Sequence, residues 1–182
     1  MMEPEILVIG EALIDIVREA DGTTSRLPGG SPTYVAVGLS RLGHSVTELT
    51  SLGDDDDGMI LRTHLHDSGV RIHLKSRIND YTSRAEVDLT AAGEADLEFA
   101  VTWAIPDSIR WDSYDIVHTG SIALALEPGA SSLLNLLRHR PKHVLLTVDP
   151  NVRSRFLPTG RHRDDRAVLT GSRCCQAQPE GR

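Results

Sequence analysis

Asp15, Gly29 and Gly30 are the residues near the start of the chain whose types and spacing could hold a ligand. Asp15 lies between two isoleucines, and the two-residue period of a strand places its carboxylate on the face opposite to them. Two adjacent glycines, which have no Cβ atoms, let a ligand approach the main chain. A carboxylate accepts hydrogen bonds from two neighbouring hydroxyls, and backbone amides and carbonyls can meet others. A polyol such as a sugar is the class of ligand that these groups suit best.

The glycine pair leads into a predicted helix. Ser31 is a favourable N-cap residue, and Pro32 suits the first helical position. Gly43 is placed to end the helix, whose apolar residues recur at helical spacing at Val35, Leu39 and Leu42. The start of such a helix presents free N–H groups and a positive dipole end. A tight strand-to-helix turn with no ligand would explain the same stretch. Other positions in the sequence must therefore decide between a structural turn and a ligand site.

A second polar cluster follows the strand predicted over residues 144–148. That strand, VLLTV, is the most convincing buried strand in the sequence. The residues directly after it, 149–153, read DPNVR and include Asn151 and Arg153. Ligands bind beyond the carboxyl ends of the strands in open α/β sheets, so this cluster is well placed to contact one.

The elements that must position these residues alternate between strand and helix. We predict strands over 6–9, 45–52, 70–78 and 116–118, and helices over 59–67 and 128–140. Two hairpins with alternating polarity interrupt this order, over about 12–28 and 82–102. The pattern predicts an α/β fold with a main parallel sheet and a small sheet standing apart from it.

Four consecutive aspartates, Asp54 to Asp57, precede the second predicted helix. Acidic residues favour the positive end of a helix, so we interpret the run as a solvated helix start. The run lacks the alternate spacing and the closing glutamate of a calcium loop, so we reject calcium.

Composition excludes several classes of function. The 182 residues carry a formal charge of −7 without an evident cluster of Lys and Arg, which argues against nucleic-acid binding. No apolar run approaches the roughly 18 residues that span a membrane. The first residues include Glu3 and lack the basic segment that begins a secretory signal. We therefore expect a cytoplasmic protein. Cys174 and Cys175 are adjacent in a polar tail, and no metal site is predicted.

Dinucleotide-binding, P-loop and nucleophile-elbow motifs are all absent from the sequence. Five segments taken together resemble the N-terminal part of the PfkB or ribokinase-like carbohydrate kinases, most nearly the bacterial fructokinase-like members. They are ILVIGEALID (6–15), PGGSPTYVAVGLSRLG (28–43), GDDDDG (53–58), HTGSIALALEPG (118–129) and DPNVR (149–153). Their order and spacing agree with the family over about residues 4 to 158.

The resemblance implies a ribokinase-like open sheet covered by helices on both faces, with the hairpins forming a small β lid over the sugar. Asp15, Gly29 and Gly30 match positions that hold sugar hydroxyls in the family, and Tyr34 stands where the family usually has Asn. Asn151 and Arg153 match a polar pair near the phosphate or the sugar. The implied activity is ATP-dependent phosphorylation of a sugar hydroxyl, with Mg²⁺ required. A homodimer formed through the lid is a further expectation.

One departure concerns the family's C-terminal segment of the form D-T-x-G-A-G-D, which this sequence lacks. That segment stabilises the transferring phosphoryl group and supplies the catalytic Asp, so no catalytic residue is named here. We expect residues 1–158 to be the N-terminal part of a sugar kinase domain without most of its ATP site. Residues 159–182 are expected to be a disordered tail, which a frameshift, a truncated gene model or deliberate shortening would explain.

The expected activity is therefore fructokinase-like and lost or impaired in this chain. Two alternatives stay open: a non-catalytic sugar-binding remnant, and a relative of the nucleoside or 2-keto-3-deoxygluconate kinases.

Overall fold

The computed structural model describes residues 3–19, 21–89, 95–149 and 173–174. Its three helices are α1 (Ser31–Arg41), α2 (Asp56–Asp67) and α3 (Gly129–Arg138), and a 3₁₀ turn covers Ser121–Leu124. Its strands are β1 (Glu5–Ile9), β2 (Leu13–Arg18), β3 (Thr24–Gly29), β4 (Ser45–Leu49), β5 (Ser51–Gly53), β6 (Arg71–Ile72), β7 (Arg77–Asn79), β8 (Arg84–Leu89), β9 (Ala95–Ala100), β10 (Ile116–Gly120), β11 (Leu145–Asp149) and β12 (Arg173–Cys174).

Six parallel strands form the main sheet, in the order β12-β11-β10-β1-β4-β6. Residues 6–9 of β1 are all buried, because helices or loops cover both faces of the sheet at this central strand. Val8 packs with residues of α1 on one face, and Leu7 packs with Leu133 of α3 and Trp103 on the other. The α/β fold class predicted from the sequence is confirmed.

A second sheet of four strands, which we call the small sheet, has the order β3-β2-β8-β9. The β2–β3 and β8–β9 pairs are antiparallel hairpins, and β2 pairs with β8 in parallel. Because β2 begins four residues after β1 ends, the small sheet starts at the carboxyl edge of the main sheet. The chain then returns along β3 to the glycine pair.

Three predicted elements are divided, or begin more than two residues away, in the structure. The strand predicted over 45–52 is two strands, because β4 joins the main sheet while β5 pairs with β7 in a separate two-stranded ribbon. The strand predicted over 70–78 is divided for the same reason into β6 and β7, with a turn between them. Helix α2 begins at Asp56 rather than at residue 59.

The ends of α1 also differ in part from prediction. Gly30, not Ser31, is the N-cap residue, so Ser31 is the first residue of the helix and Pro32 the second. The predicted end is confirmed, since Leu42 caps the helix and Gly43 follows it with a φ of 94°. Glycine is favoured there because other residues rarely adopt positive φ.

Residues 173–174, within the segment expected to be a disordered tail, form β12 and pair in parallel with β11. The rest of that segment lies outside the described residues, so the expectation stays a prediction. Among the helices of the described ranges, none is long and apolar enough to cross a bilayer.

Candidate functional site

The glycine turn between β3 and α1 requires glycine at Gly30 and leaves little room for a side chain at Gly29. Gly30 has a φ of 105°, and a Cβ there would lie 2.5 Å from the carbonyl oxygen of Glu11. A Cβ on Gly29 would lie 2.3 Å from Oδ2 of Asp15. Both distances are far inside van der Waals contact, so the turn brings its backbone directly against the Asp15 carboxylate and the loop that follows β1.

Asp15 and Tyr34 meet at this turn from two different elements. Asp15 lies on β2, opposite Leu27 of β3, and Tyr34 lies in the first turn of α1, where its N–H bonds to the Gly30 carbonyl. The Tyr34 hydroxyl lies 3.2 Å from Oδ2 of Asp15 and 3.1 Å from the Pro28 carbonyl oxygen. The structure therefore brings together the four residues predicted to bind substrate: Asp15, Gly29, Gly30 and Tyr34.

The environment of Asp15 leaves one side of its carboxylate available. Partial burial raises the pKa of Asp15, and the hydrogen bond from Tyr34 opposes that rise. Burial, the Asp15 charge and the same hydrogen bond all raise the pKa of Tyr34, so the phenol stays protonated and donates. Within the described ranges, Oδ1 of Asp15 has no hydrogen-bond partner, and Tyr34 is 53% exposed. A ligand hydroxyl can therefore donate to Oδ1 while Tyr34 stays on Oδ2.

Beneath the turn lies a buried polar cluster that the sequence analysis did not identify. Glu11, Thr33 and Glu48 are each 2% exposed or less. The Thr33 hydroxyl donates to Oε1 of Glu48 at 2.7 Å. Burial raises the pKa of Glu48 to about 8, with the Thr33 hydrogen bond opposing the rise and the Glu11 charge adding to it. The one signal in the sequence was an acidic residue between Val46 and Leu49 in a predicted strand.

The aspartate run begins a helix as predicted, and Asp54 and Asp56 are exposed, but Asp55 and Asp57 are not the solvated residues that were predicted. Asp55 caps α2, since its Oδ1 accepts from the Gly58 N–H at 2.8 Å, and both the N–H and the hydroxyl of Thr82 also donate to its carboxylate. Burial alone would raise the pKa of Asp55, but the hydrogen bonds from Thr82 and Gly58 and the nearby Arg84 charge hold it below its ordinary value. Asp55 is thus a bound carboxylate rather than a hydrated one.

Asp57 is fully buried and accepts from two arginines of the small sheet. Nη1 of Arg26, on β3, lies 2.7 Å from one carboxylate oxygen, and Nε of Arg84, on β8, lies 2.7 Å from the other. Arg26 is three residues before Gly29 on the same strand. The start of α2 therefore fixes the strand that ends at the glycine turn.

The second predicted cluster is described only as far as Asp149. This residue ends β11 and lies beside Gly120 of β10, where a Cβ would come 2.2 Å from the Asp149 carbonyl oxygen. Asn151 and Arg153 lie outside the described residues. Among the residues that the structure describes, no group of three or more His, Cys, Asp or Glu side chains could hold a metal ion.

A parallel α/β sheet with a small sheet and a glycine turn at its carboxyl edge has the architecture of a ribokinase-like carbohydrate kinase. The model of the pfkB carbohydrate kinase family matches residues 3–169. The chain belongs to that family.

Individual relatives agree with this assignment. The chain is 34% identical to the Escherichia coli fructokinase over 162 residues, covering 84% of this chain and 52% of that protein. It is 31% identical to the Salmonella typhimurium aminoimidazole riboside kinase, covering 84% of this chain and 50% of that protein. The crystal structure of a Xylella fastidiosa fructokinase with bound ATP shares the fold, with a TM-score of 0.73 at 24% identity, covering 93% of this chain and 58% of that one. The chain thus spans about half the length of the curated relatives it matches.

Proposed function

We propose that this chain is the sugar-binding portion of a fructokinase-like kinase and holds fructose at Asp15, Gly29 and Gly30. The observation that carries the proposal is the Asp15 carboxylate, which lies against a glycine turn with one oxygen available to a ligand. That oxygen accepts from sugar hydroxyls, and the exposed backbone of the turn meets others. Membership of the pfkB family and the similarity to fructokinases support the choice of fructose.

The reaction of the whole kinase would transfer the γ-phosphoryl group of ATP to a sugar hydroxyl, which loses its proton as ADP leaves. ATP and Mg²⁺ are proposed as its cofactors from family membership, and no residue of the described part is assigned to either. Asn151 and Arg153 are proposed to lie near the phosphate or the sugar, where a guanidinium would face phosphate charge. For this chain alone, we propose that phosphoryl transfer is lost or impaired.

Fructose titration by calorimetry tests the binding proposal. Asp15→Asn keeps the side chain's shape but replaces the acceptor charge, so we expect at least tenfold weaker binding, about 1.4 kcal/mol, for the loss of a charged hydrogen bond. Asp112→Asn, at an exposed ion pair with Arg110, is the matched control and should bind like the native chain. Equal affinity for native and Asp15→Asn chains would overturn the assignment. Turnover of ATP and fructose by the native chain would refute the proposed loss of activity.

A second candidate, a nucleoside kinase relative, is favoured by the similarity to an aminoimidazole riboside kinase. The exposed Tyr34 ring beside the site would suit a ligand that carries a heteroaromatic group. A panel of fructose, ribosides and 2-keto-3-deoxygluconate, titrated against the native chain, separates the candidates by affinity. A homodimer through the small sheet and a cytoplasmic location stay predictions, and sedimentation tests the dimer.

A further inference from the structure

Glu48 is a carboxylic acid in the interior of the main sheet. It lies on β4 between Val8 of β1 and Ile72 of β6, and its side chain is fully buried. Oε1 accepts the hydroxyl of Thr33, while Oε2 is buried without a hydrogen-bond partner in the described part of the chain. A buried polar atom left in this state is rare in proteins and calls for a physical explanation.

Among the residues that the structure describes, none offers this carboxyl a positive charge to balance an ionised form. Thr33 of α1 and the carboxyl group of Glu11 act on Glu48, and no basic side chain of the described ranges does. Val8 and Ile72 on the two neighbouring strands are apolar, and so is Leu65 of α2, which packs in the same cluster. The positive end of α1 favours an anion, but full burial beside a second carboxyl disfavours one more strongly.

Glu48 is connected to the proposed sugar site by two short routes. Thr33, which donates to it, is the third residue of α1 and directly precedes Tyr34. Glu11, whose charge acts on it, has its carbonyl oxygen against the position of a Gly30 Cβ. A change in the charge of Glu48 therefore acts on the first turn of α1 and on the loop that supports Gly30.

We propose that Glu48 is held in its protonated, neutral form and acts as a positioning residue for the glycine turn, so that its ionisation at alkaline pH displaces the first turn of α1 and weakens sugar binding. This inference rests on the proposed function for its sugar-binding part. An ionised Glu48 would be drawn towards water or out of the core, because no basic side chain of the described ranges balances its charge. The nearest elements that can yield are the first turn of α1 and the loop after β1, which carry the site.

Fructose affinity measured from pH 7 to pH 9 tests the proposal. A group with a pKa of about 8 is mostly protonated at pH 7 and about one-tenth protonated at pH 9, so the native chain should bind about tenfold more weakly at pH 9. In Glu48→Gln the side chain cannot ionise, and its affinity should not change over this range. Glu3→Gln, at an exposed glutamate, is the control, and its fructose affinity should depend on pH as that of the native chain does. A tenfold loss that persists in Glu48→Gln would overturn the proposal.

Carbon-13 NMR of the native chain, labelled at its glutamate carboxyls, provides a test that needs no ligand, and the Glu48 resonance is the one that is lost in Glu48→Gln. Glu48 should titrate near pH 8, well above the ordinary glutamate pKa of 4.5. If every glutamate carboxyl titrates below about pH 6, Glu48 is not held neutral and the proposal fails. If one titrates near pH 8 while fructose binds at no pH, the proposed function fails and the neutral Glu48 stands.

Discussion

Replacing Asp57 with alanine should separate the small sheet from the start of α2. The Asp57 carboxylate has no exposed surface and accepts from Arg26 and Arg84, both at 2.7 Å. Breaking a wholly buried pair costs about 3–5 kcal/mol, whereas an exposed pair contributes about 0.2–1 kcal/mol. The arginine side chains are 47% and 35% exposed, so water can hydrate them once the anion is gone. We therefore expect Asp57→Ala to lower the free energy of unfolding by about 2 kcal/mol, between the two limits.

Urea unfolding followed by circular dichroism measures this loss, and a double-mutant cycle assigns it to the ion pairs. Arg84→Met keeps most of the aliphatic length of the side chain and removes its charge. If the ion pair with Arg84 accounts for the stabilisation, the loss in free energy of unfolding caused by Asp57→Ala should be smaller in the Arg84→Met background. The difference from the loss in the native background should be at least about 1 kcal/mol. Asp112→Ala, at a pair whose side chains are 77% and 89% exposed, is the control and should change stability by less than about 0.5 kcal/mol.

Two results would refute this reasoning. The first is a loss in Asp57→Ala no larger than that in Asp112→Ala. The second is a full loss with no coupling to either Arg26 or Arg84, which would assign the effect to the start of α2 alone.

Three further predictions concern the site and the elements beside it. Gly29→Ala places a Cβ 2.3 Å from Oδ2 of Asp15, so calorimetry should show at least tenfold weaker fructose binding while circular dichroism stays native. Gly38→Ala, inside α1 with open space around it, is its control and should raise the free energy of unfolding by about 0.5–1 kcal/mol, as measured in urea. The raised pKa of Glu48 means that its stabilising contribution is complete below the unfolded value of 4.5 and is lost as pH rises to about 8. The free energy of unfolding of the native chain should fall over that window by about 1.4 kcal/mol per pH unit relative to Glu48→Gln. Urea midpoints that change with pH by the same amount in the two chains would contradict this.

The buried strands of the main sheet could be predicted because their signal is local. Residues 6–9 are a continuous apolar run, and such a run bounded by turn residues indicates a strand covered on both faces. Residues 144–148 are apolar except for Thr147, which also indicates a strand. The division of 45–52 into β4 and β5 could not be predicted in this way. It depends on the pairing of β5 with β7, whose residues lie 26 positions further along the chain.

The same distinction between local signals and distant contacts applies to the candidate site. Asp15 and the glycine pair could be identified because a strand alternation and a turn motif each mark them within a few residues. The bond between Thr33 and Glu48 joins residues 15 positions apart, and the bond between Arg26 and Asp57 joins residues 31 apart. Local patterns contain no information about such partners, so Asp57 was assigned to a solvated helix start although it is buried.

These distant contacts explain why a ligand at Asp15 would act on more than one part of the molecule. Asp15 and Gly29 belong to the small sheet, whereas Tyr34 belongs to a helix that packs on the main sheet. The bond from Tyr34 to Oδ2 of Asp15 already joins the two parts, and Oδ1 is the oxygen available to a sugar. A sugar bound there adds a link without displacing the existing one. Because a ligand that binds only the folded chain raises its free energy of unfolding, fructose should stabilise the small sheet and the main sheet together.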